Sequence, residues 1–201
     1  MKKKTLLLLC LFSLIINMFA TTGDLIQNLK NRYLNLTTFE ANFTQINYFS
    51  QHGITHESKG TFYLQNDTII LEYTAPDYQF LKSHNSLLTM YFQNENTAII
   101  DTSENPITHT LLHFSNLLSQ DFEFYRKENN LYVYTILNPM ELAHDLKIHI
   151  NNQTNTIDII SYSDEFNNII TIRLDNQRFN RPLTKTVGEF VIPDGTYIIQ
   201  N

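Results

Sequence analysis

Apolar residues recur along the chain with one of two spacings, and the spacing changes near residue 38. Between residues 24 and 37 leucine, isoleucine and tyrosine return every three to four positions, which predicts an amphipathic helix capped by Asp24. From Phe39 onward apolar residues fall on every second position, which predicts a half-buried strand over residues 39–46. One face of each element must therefore be covered by other parts of the chain.

Short apolar or alternating runs, separated by turn residues, fill most of the remaining sequence. The turns are rich in asparagine and aspartate, as at Asn66-Asp67, and such short connections place successive strands antiparallel. The further predicted strands are residues 60–65, 69–73, 79–82, 87–92, 97–100, 121–126, 131–137, 145–150, 156–161 and 169–174, with a last strand at 190–193.

A second amphipathic helix is predicted between the two runs of strands, over residues 105–119. Asn105 suits the capping position and Pro106 the first helical position. About eleven strands and two helices, without a linker or an internal repeat, predict one mainly β domain with helices (α+β) over residues 21–201. Because a sheet of that breadth twists and curls, we expect a strongly curved antiparallel sheet, an unclosed half-barrel. A helical lid is expected to cover its apolar concave cavity.

The first twenty residues have the composition of an export signal. Three lysines precede an apolar run over residues 6–16, which is short for the ~20 residues that span a bilayer. We predict a signal peptide over residues 1–20, cleaved after Ala20. The alternatives are a retained membrane anchor and a lipoprotein signal at Cys10, which the bulky Leu9 disfavours.

Cleavage would change the charge of the chain. It would remove three lysines and the only cysteine, leaving 11 basic against 20 acidic residues and a net charge of −9. This acidic balance argues against nucleic acid and anionic lipid surfaces as partners. Without cysteine the mature chain can form no disulfide, so its fold must rely on packing and hydrogen bonds.

Motifs for catalysis or metal binding are not recognisable in the sequence. His52 and His56, like His109 and His113, are four residues apart, but neither pair has a nearby cysteine or an acidic metal-site motif. The serines lack nucleophile-elbow glycines, and the acidic residues suggest no glycosidase pair. We therefore predict no cofactor, no metal and no enzymatic activity. An enzyme acting on envelope lipid or glycan is the alternative, and it would need a polar cluster inside the concavity.

Four motifs resemble the LolA family, the periplasmic carriers of bacterial lipoproteins. They are the helix–strand opening over residues 29–45, Gly60-Thr61-Phe62-Tyr63-Leu64, Leu71-Glu72-Tyr73-Thr74-Ala75-Pro76-Asp77, and Gly188-Glu189-Phe190-Val191-Ile192-Pro193-Asp194-Gly195. The family's Arg-Pro pair after the second strand and its tryptophan on the third are missing here. In characterised members that arginine helps hold the lid closed on the unloaded carrier. The resemblance therefore implies a lid that uses other donors or purely apolar contact.

The resemblance also implies a function and partners. It implies a monomeric periplasmic carrier that takes acylated lipoproteins from an inner-membrane ABC-type release complex and delivers them to the outer membrane, with an acceptor lipoprotein there. The alternative is a periplasmic module of the same half-barrel fold that senses lipids or misplaced lipoproteins. Candidate residues for the lining of the acyl-chain cavity are Tyr33, Phe43, Phe62, Leu64, Leu71, Leu88, Met90, Ile107 and Leu112.

Overall fold

The computed structural model describes residues 25–85, 87–102, 114–137 and 144–200. Helix α1 covers residues 25–34 and helix α2 covers Phe114–Ser119. The strands are β1 (Thr38–Phe49), β2 (Ile54–Gln65), β3 (Thr68–Ala75), β4 (Gln79–His84), β5 (Leu87–Phe92), β6 (Thr97–Asp101), β7 (Asp121–Glu128), β8 (Leu131–Leu137), β9 (His144–Asn151), β10 (Thr156–Ser163), β11 (Ile169–Phe179) and β12 (Tyr197–Gln200). Neither described helix has the length and apolar character needed to cross a membrane.

Several sequence-based predictions concern residues outside the described ranges. They are the signal peptide over residues 1–20, the cap at Asp24, most of the second helix over residues 105–119, and the lining residues Ile107 and Leu112. The first helix is seen over residues 25–34, within its predicted range.

All the strands join one sheet in the order β12-β6-β5-β4-β3-β2-β1-β11-β10-β9-β8-β7. Neighbouring strands are antiparallel, except that β12 runs parallel to β6. In the described part of the chain β12 and β7 form the two edges, so the sheet is curved but not closed into a barrel. The predicted mainly β half-barrel is thus confirmed, with twelve strands. Its two halves meet where β1 pairs with β11, which brings Phe39 beside Phe179.

Asparagine residues supply the left-handed turn conformation in most of the hairpins. Six of them have φ between 43° and 59°, each in the turn of a different hairpin: Asn66, Asn85, Asn96, Asn129, Asn155 and Asn167. Asparagine tolerates this region because its short side chain can form local hydrogen bonds. The chain has only five glycines, so asparagine does in these turns what glycine does in many proteins.

The main core lies between the two helices and the inner face of the sheet, the face that the helices cover. Leu29 and Tyr33 of α1 and Leu117 and Leu118 of α2 are at most 3% exposed. They share one cluster with buried residues from both halves of the sheet, among them Phe39, Phe43, Phe62, Ile69, Tyr134, Ile148, Ile160 and Leu174. The helices therefore hold the two halves of the sheet around a common interior.

A second, smaller core lies on the opposite, outer face of the sheet. Residues 181–196, which we call the C-terminal strap, cover this face of β2–β6, and Phe190 of the strap packs beside Tyr63 and Phe80. The predicted strand at 190–193 is wrong. The strap contains a 3₁₀ turn at Val187–Glu189, and the last strand follows only at Tyr197–Gln200. The apolar residues of the strap pack against the outer core. Pro193, at the end of the predicted strand, has no backbone N–H to donate to a strand ladder.

Polar contacts fasten the strap to the sheet. The backbone N–H of Thr184 donates to Glu40 Oε2 at 2.7 Å, and Lys185 Nζ lies 2.8 Å from Glu72 Oε1. Lys82 Nζ donates to two carbonyl oxygens of the strap, each at 3.3 Å. Because both carboxylates belong to buried residues, these contacts satisfy charges that would otherwise destabilise the outer core.

Candidate functional site

An apolar row crosses the inner face of the N-terminal half of the sheet. Cross-strand neighbours share a face, and the successive neighbours on β2–β6 are Phe62, Leu71, Leu81, Met90 and Ile99. Phe62 is buried and belongs to the core beneath the helices, whereas the other four are only half-buried. We call these five residues the apolar row. It runs from the closed core into a more accessible apolar surface.

The structure places seven of the nine predicted lining residues, and all seven face the inner side. Tyr33, Phe43, Phe62, Leu64 and Leu88 are buried there, and Leu71 and Met90 are half-buried. Leu81 and Ile99, which complete the apolar row, were not among the predicted residues. Leu81 follows Phe80, and Ile99 stands between Ala98 and Ile100, so apolar alternation alone could not have assigned either residue to the inner face. The C-terminal half also contributes inner-face residues, such as Tyr134 and Ile148.

A glycine allows two aromatic rings to meet on the inner face. Gly60 is the cross-strand neighbour of both Phe43 and Tyr73, whose rings meet edge to face with 4.9 Å between centroids. A Cβ at Gly60 would lie 1.9 Å from the carbonyl oxygen of Glu72 and 2.7 Å from Phe43 Cζ. Glycine is therefore required by the close approach of β3 at this irregular point of the β2–β3 ladder.

Buried hydrogen bonds anchor α1 to the C-terminal half of the sheet. Tyr33 Oη donates to Gln177 Oε1 at 2.7 Å and accepts the N–H of Ile157 at 2.9 Å. Gln177 Nε2 donates in turn to the carbonyl oxygen of Ile157 at 2.8 Å. Burial raises the pKa of the Tyr33 hydroxyl above its ordinary value, so it stays neutral. Because displacement of α1 would leave these buried groups unpaired, α1 is a fixed part of the helical cover.

Charged residues gather in a cleft beside the inner core. The cleft has a volume of about 660 Å³, and its lining includes Arg32, Arg178, Arg181, Asp158 and Asp175. Such a lining suits polar groups and not acyl chains, which need apolar walls. Across the described residues, no three His, Cys, Asp or Glu side chains come together as a metal-binding group.

The described part of the chain thus forms an unclosed half-barrel whose inner face is largely apolar, an architecture suited to binding apolar groups. The chain belongs to the LolA family. The family model described as "Outer membrane lipoprotein carrier protein LolA" matches residues 34–191, well over half of the chain. The predicted membership is thus confirmed.

Two relatives bear the name "Outer-membrane lipoprotein carrier protein". The protein of Francisella tularensis subsp. novicida is 25% identical over 205 residues, covering 99% of this chain and 97% of the relative. The protein of Campylobacter jejuni subsp. jejuni is 26% identical over 168 residues, covering 83% and 89%. A solved structure, an uncharacterized conserved protein from Thermus thermophilus, has a TM-score of 0.58 at 9% identity and covers 90% of this chain and 99% of its own. That similarity concerns the fold alone.

Proposed function

We propose that this chain is a periplasmic carrier that binds the acyl chains of lipoproteins on its inner face and carries them from the inner to the outer membrane. The apolar row supports the proposal most directly, because it offers apolar contact without directional bonds. The family and the names of the two relatives point the same way. The predicted signal peptide over residues 1–20 belongs to the same proposal, since such a carrier works after export.

The dimensions of the apolar row suit a fatty chain. Five neighbouring strands at about 4.8 Å spacing place its ends about 19 Å apart, and acyl chains are extended molecules of comparable length. Two acyl chains of about fourteen methylenes, at ~0.8 kcal/mol per CH₂, oppose exposure to water by on the order of 20 kcal/mol. A protein surface that covers much of each chain therefore removes most of the barrier to crossing an aqueous compartment.

Helix α1 and two membrane partners also have roles in the proposed function. Because α1 is anchored by buried hydrogen bonds, we infer that acyl chains bind alongside it, over Leu81, Met90 and Ile99. Binding by apolar contact involves no chemical step, which fits a carrier without enzymatic activity. An inner-membrane ABC-type complex would load the carrier, and an outer-membrane acceptor lipoprotein would unload it.

Site-specific photo-crosslinking tests this proposal. A benzophenone amino acid replaces Met90 in one variant and its neighbour Thr89, which faces the outer side, in a control. After irradiation of intact cells, mass spectrometry identifies what is attached. We expect intact acylated lipoproteins on the Met90 variant and far fewer on the Thr89 variant. Equal labelling at both positions, free lipid alone, or conversion of the lipid would contradict a carrier role.

A substitution at the same position gives an independent check. Met90→Lys places a charge within the apolar row, and we expect purified protein to lose most of its bound lipoprotein because burying an unpaired charge is unfavourable. Thr171→Lys is the matched control, since Thr171 pairs with Ile46 on the outer face of the other half. Similar loss from both variants would mean that charge alone, and not the apolar row, decides binding.

A further inference from the structure

Within the described part of the chain, one hydroxyl buried on the inner face has no hydrogen-bond partner. Three buried side-chain polar atoms of the described residues have none, and only Tyr134 Oη belongs to the inner core. Tyr134 is 3% exposed. An unpaired buried hydroxyl destabilises the folded state, so such groups are rare in native proteins. One that is present usually has a structural or functional explanation.

The other buried tyrosine hydroxyl of the inner core has partners that the fold provides. Tyr33 is held by Gln177 and Ile157, and the hydroxyl of the partly buried Tyr73 donates to Gln45 Oε1 at 3.1 Å. No described side chain forms a hydrogen bond with the hydroxyl of Tyr134. Burial raises the pKa of Tyr134 to about 12, so its hydroxyl keeps its proton and remains available as a donor.

Tyr134 lies at the inner end of an aromatic cluster that reaches the surface. Its ring centroid is 5.7 Å from that of Phe124 and 6.5 Å from that of Phe122. Tyr132, on the same strand and the same face, lies 6.0 Å from Phe124. Phe124 is 42% exposed on the edge strand β7. Exposure therefore falls steeply from the sheet edge to the unpaired hydroxyl, along a surface that apolar groups can follow.

We propose that the Tyr134 hydroxyl donates a hydrogen bond to the carbonyl oxygen of an ester that links an acyl chain to the cargo. The inference rests on the proposed carrier function. An ester carbonyl is an acceptor without a proton of its own, and it is joined directly to the acyl chain. The ester thus lies at the aromatic cluster of β7 and β8, in the C-terminal half of the sheet, and its chain extends across the inner face toward the apolar row. In surroundings from which water is excluded, such a bond is not weakened by competing water. Tyr134 thus distinguishes an acyl chain from a plain hydrocarbon.

The test measures binding of a synthetic diacylated lipopeptide with two ester linkages and of its dialkyl ether analogue. Each is titrated into wild type, Tyr134→Phe and Tyr91→Phe. We expect Tyr134→Phe to bind the ester lipopeptide about threefold to tenfold more weakly than wild type, in line with the loss of one hydrogen bond. Its affinity for the ether analogue should equal that of wild type. Tyr91→Phe, at a buried tyrosine of the outer core, is the matched control, and we expect it to bind both as wild type does.

Thermal unfolding of the unloaded proteins separates this role from a structural one. Removal of a hydroxyl without a partner should leave Tyr134→Phe as stable as wild type or more stable. Lower stability with unchanged binding would overturn the inference, because a bound water would then be the partner. Equal weakening for the ester and the ether ligand would overturn it as well. Failure of wild type to bind either lipopeptide would instead refute the carrier function.

Discussion

Substitution of Gly60 by alanine would show how closely the inner face of the sheet is packed. The added Cβ would lie 1.9 Å from the carbonyl oxygen of Glu72, where atoms in real structures stay beyond 3.0 Å, so β3 would have to retreat by more than about 1 Å. The ring of Phe43, whose Cζ would be 2.7 Å away, would have to move too. A ring can rotate, but the carbonyl belongs to the ladder that joins β2 to β3.

The size of the effect follows from what must move. Overpacking in a core destabilises by about 1–3 kcal/mol when side chains can adjust. Because backbone has to shift at Gly60, we expect Gly60→Ala to lower the free energy of unfolding by about 3 kcal/mol. At roughly 2–4 °C per kcal/mol for a domain of this size, the melting temperature should fall by about 6–12 °C.

Thermal unfolding followed by circular dichroism measures this change, with Gly188→Ala as the control. A Cβ at Gly188 meets no atom within 4 Å, so we expect its melting temperature to stay the same or rise slightly. Adding Phe43→Leu to Gly60→Ala should restore little, because the carbonyl oxygen remains in place. Equal melting temperatures for Gly60→Ala and Gly188→Ala, or full rescue by Phe43→Leu, would refute the reasoning.

Two further predictions concern buried tyrosines. Tyr33→Phe leaves the N–H of Ile157 and Oε1 of Gln177 unpaired, so urea unfolding should show a loss of about 2–4 kcal/mol; an unchanged midpoint would mean that α1 is not anchored as described. Burial raises the pKa of Tyr73 from 10.0 to about 12. A raised pKa gives stability that is complete below pH 10 and lost as pH rises toward 12, so the free energy of unfolding should fall by about 1.4 kcal/mol per pH unit there. Tyr73→Phe should reduce that slope, and an identical slope would contradict the assignment.

Most of the sheet could be predicted from the sequence because its strands are joined by short hairpins. Alternation such as that of Phe39, Ala41 and Phe43 identifies a strand with one buried face, and asparagine-rich turns mark its end. Neither signal depends on distant parts of the chain. The pairing of β12 with β6 does, because a parallel neighbour is reached only after the strap has crossed the outer face.

The outer core was missed although the sequence contained a sign of it. Tyr63 adjoins two apolar residues in β2, and Ile70 lies within the run Ile69-Ile70-Leu71 of β3. Consecutive apolar residues in a strand indicate burial on both faces. The candidate site was predicted only in part. Alternation identifies residues of the inner face, but it cannot separate those that form the closed core from half-buried ones such as Met90. That difference depends on where the helices lie.

The position of the β1–β11 ladder has a consequence for how the molecule assembles. Each half of the sheet is built largely from neighbouring hairpins that can form early, but the two halves are joined only when β1 pairs with β11. Closing so long a loop is slow compared with hairpin formation. A chain that emerges from the amino end first must therefore wait until β11 has been made before the interior is sealed. During that interval its apolar inner face is exposed to other hydrophobic molecules.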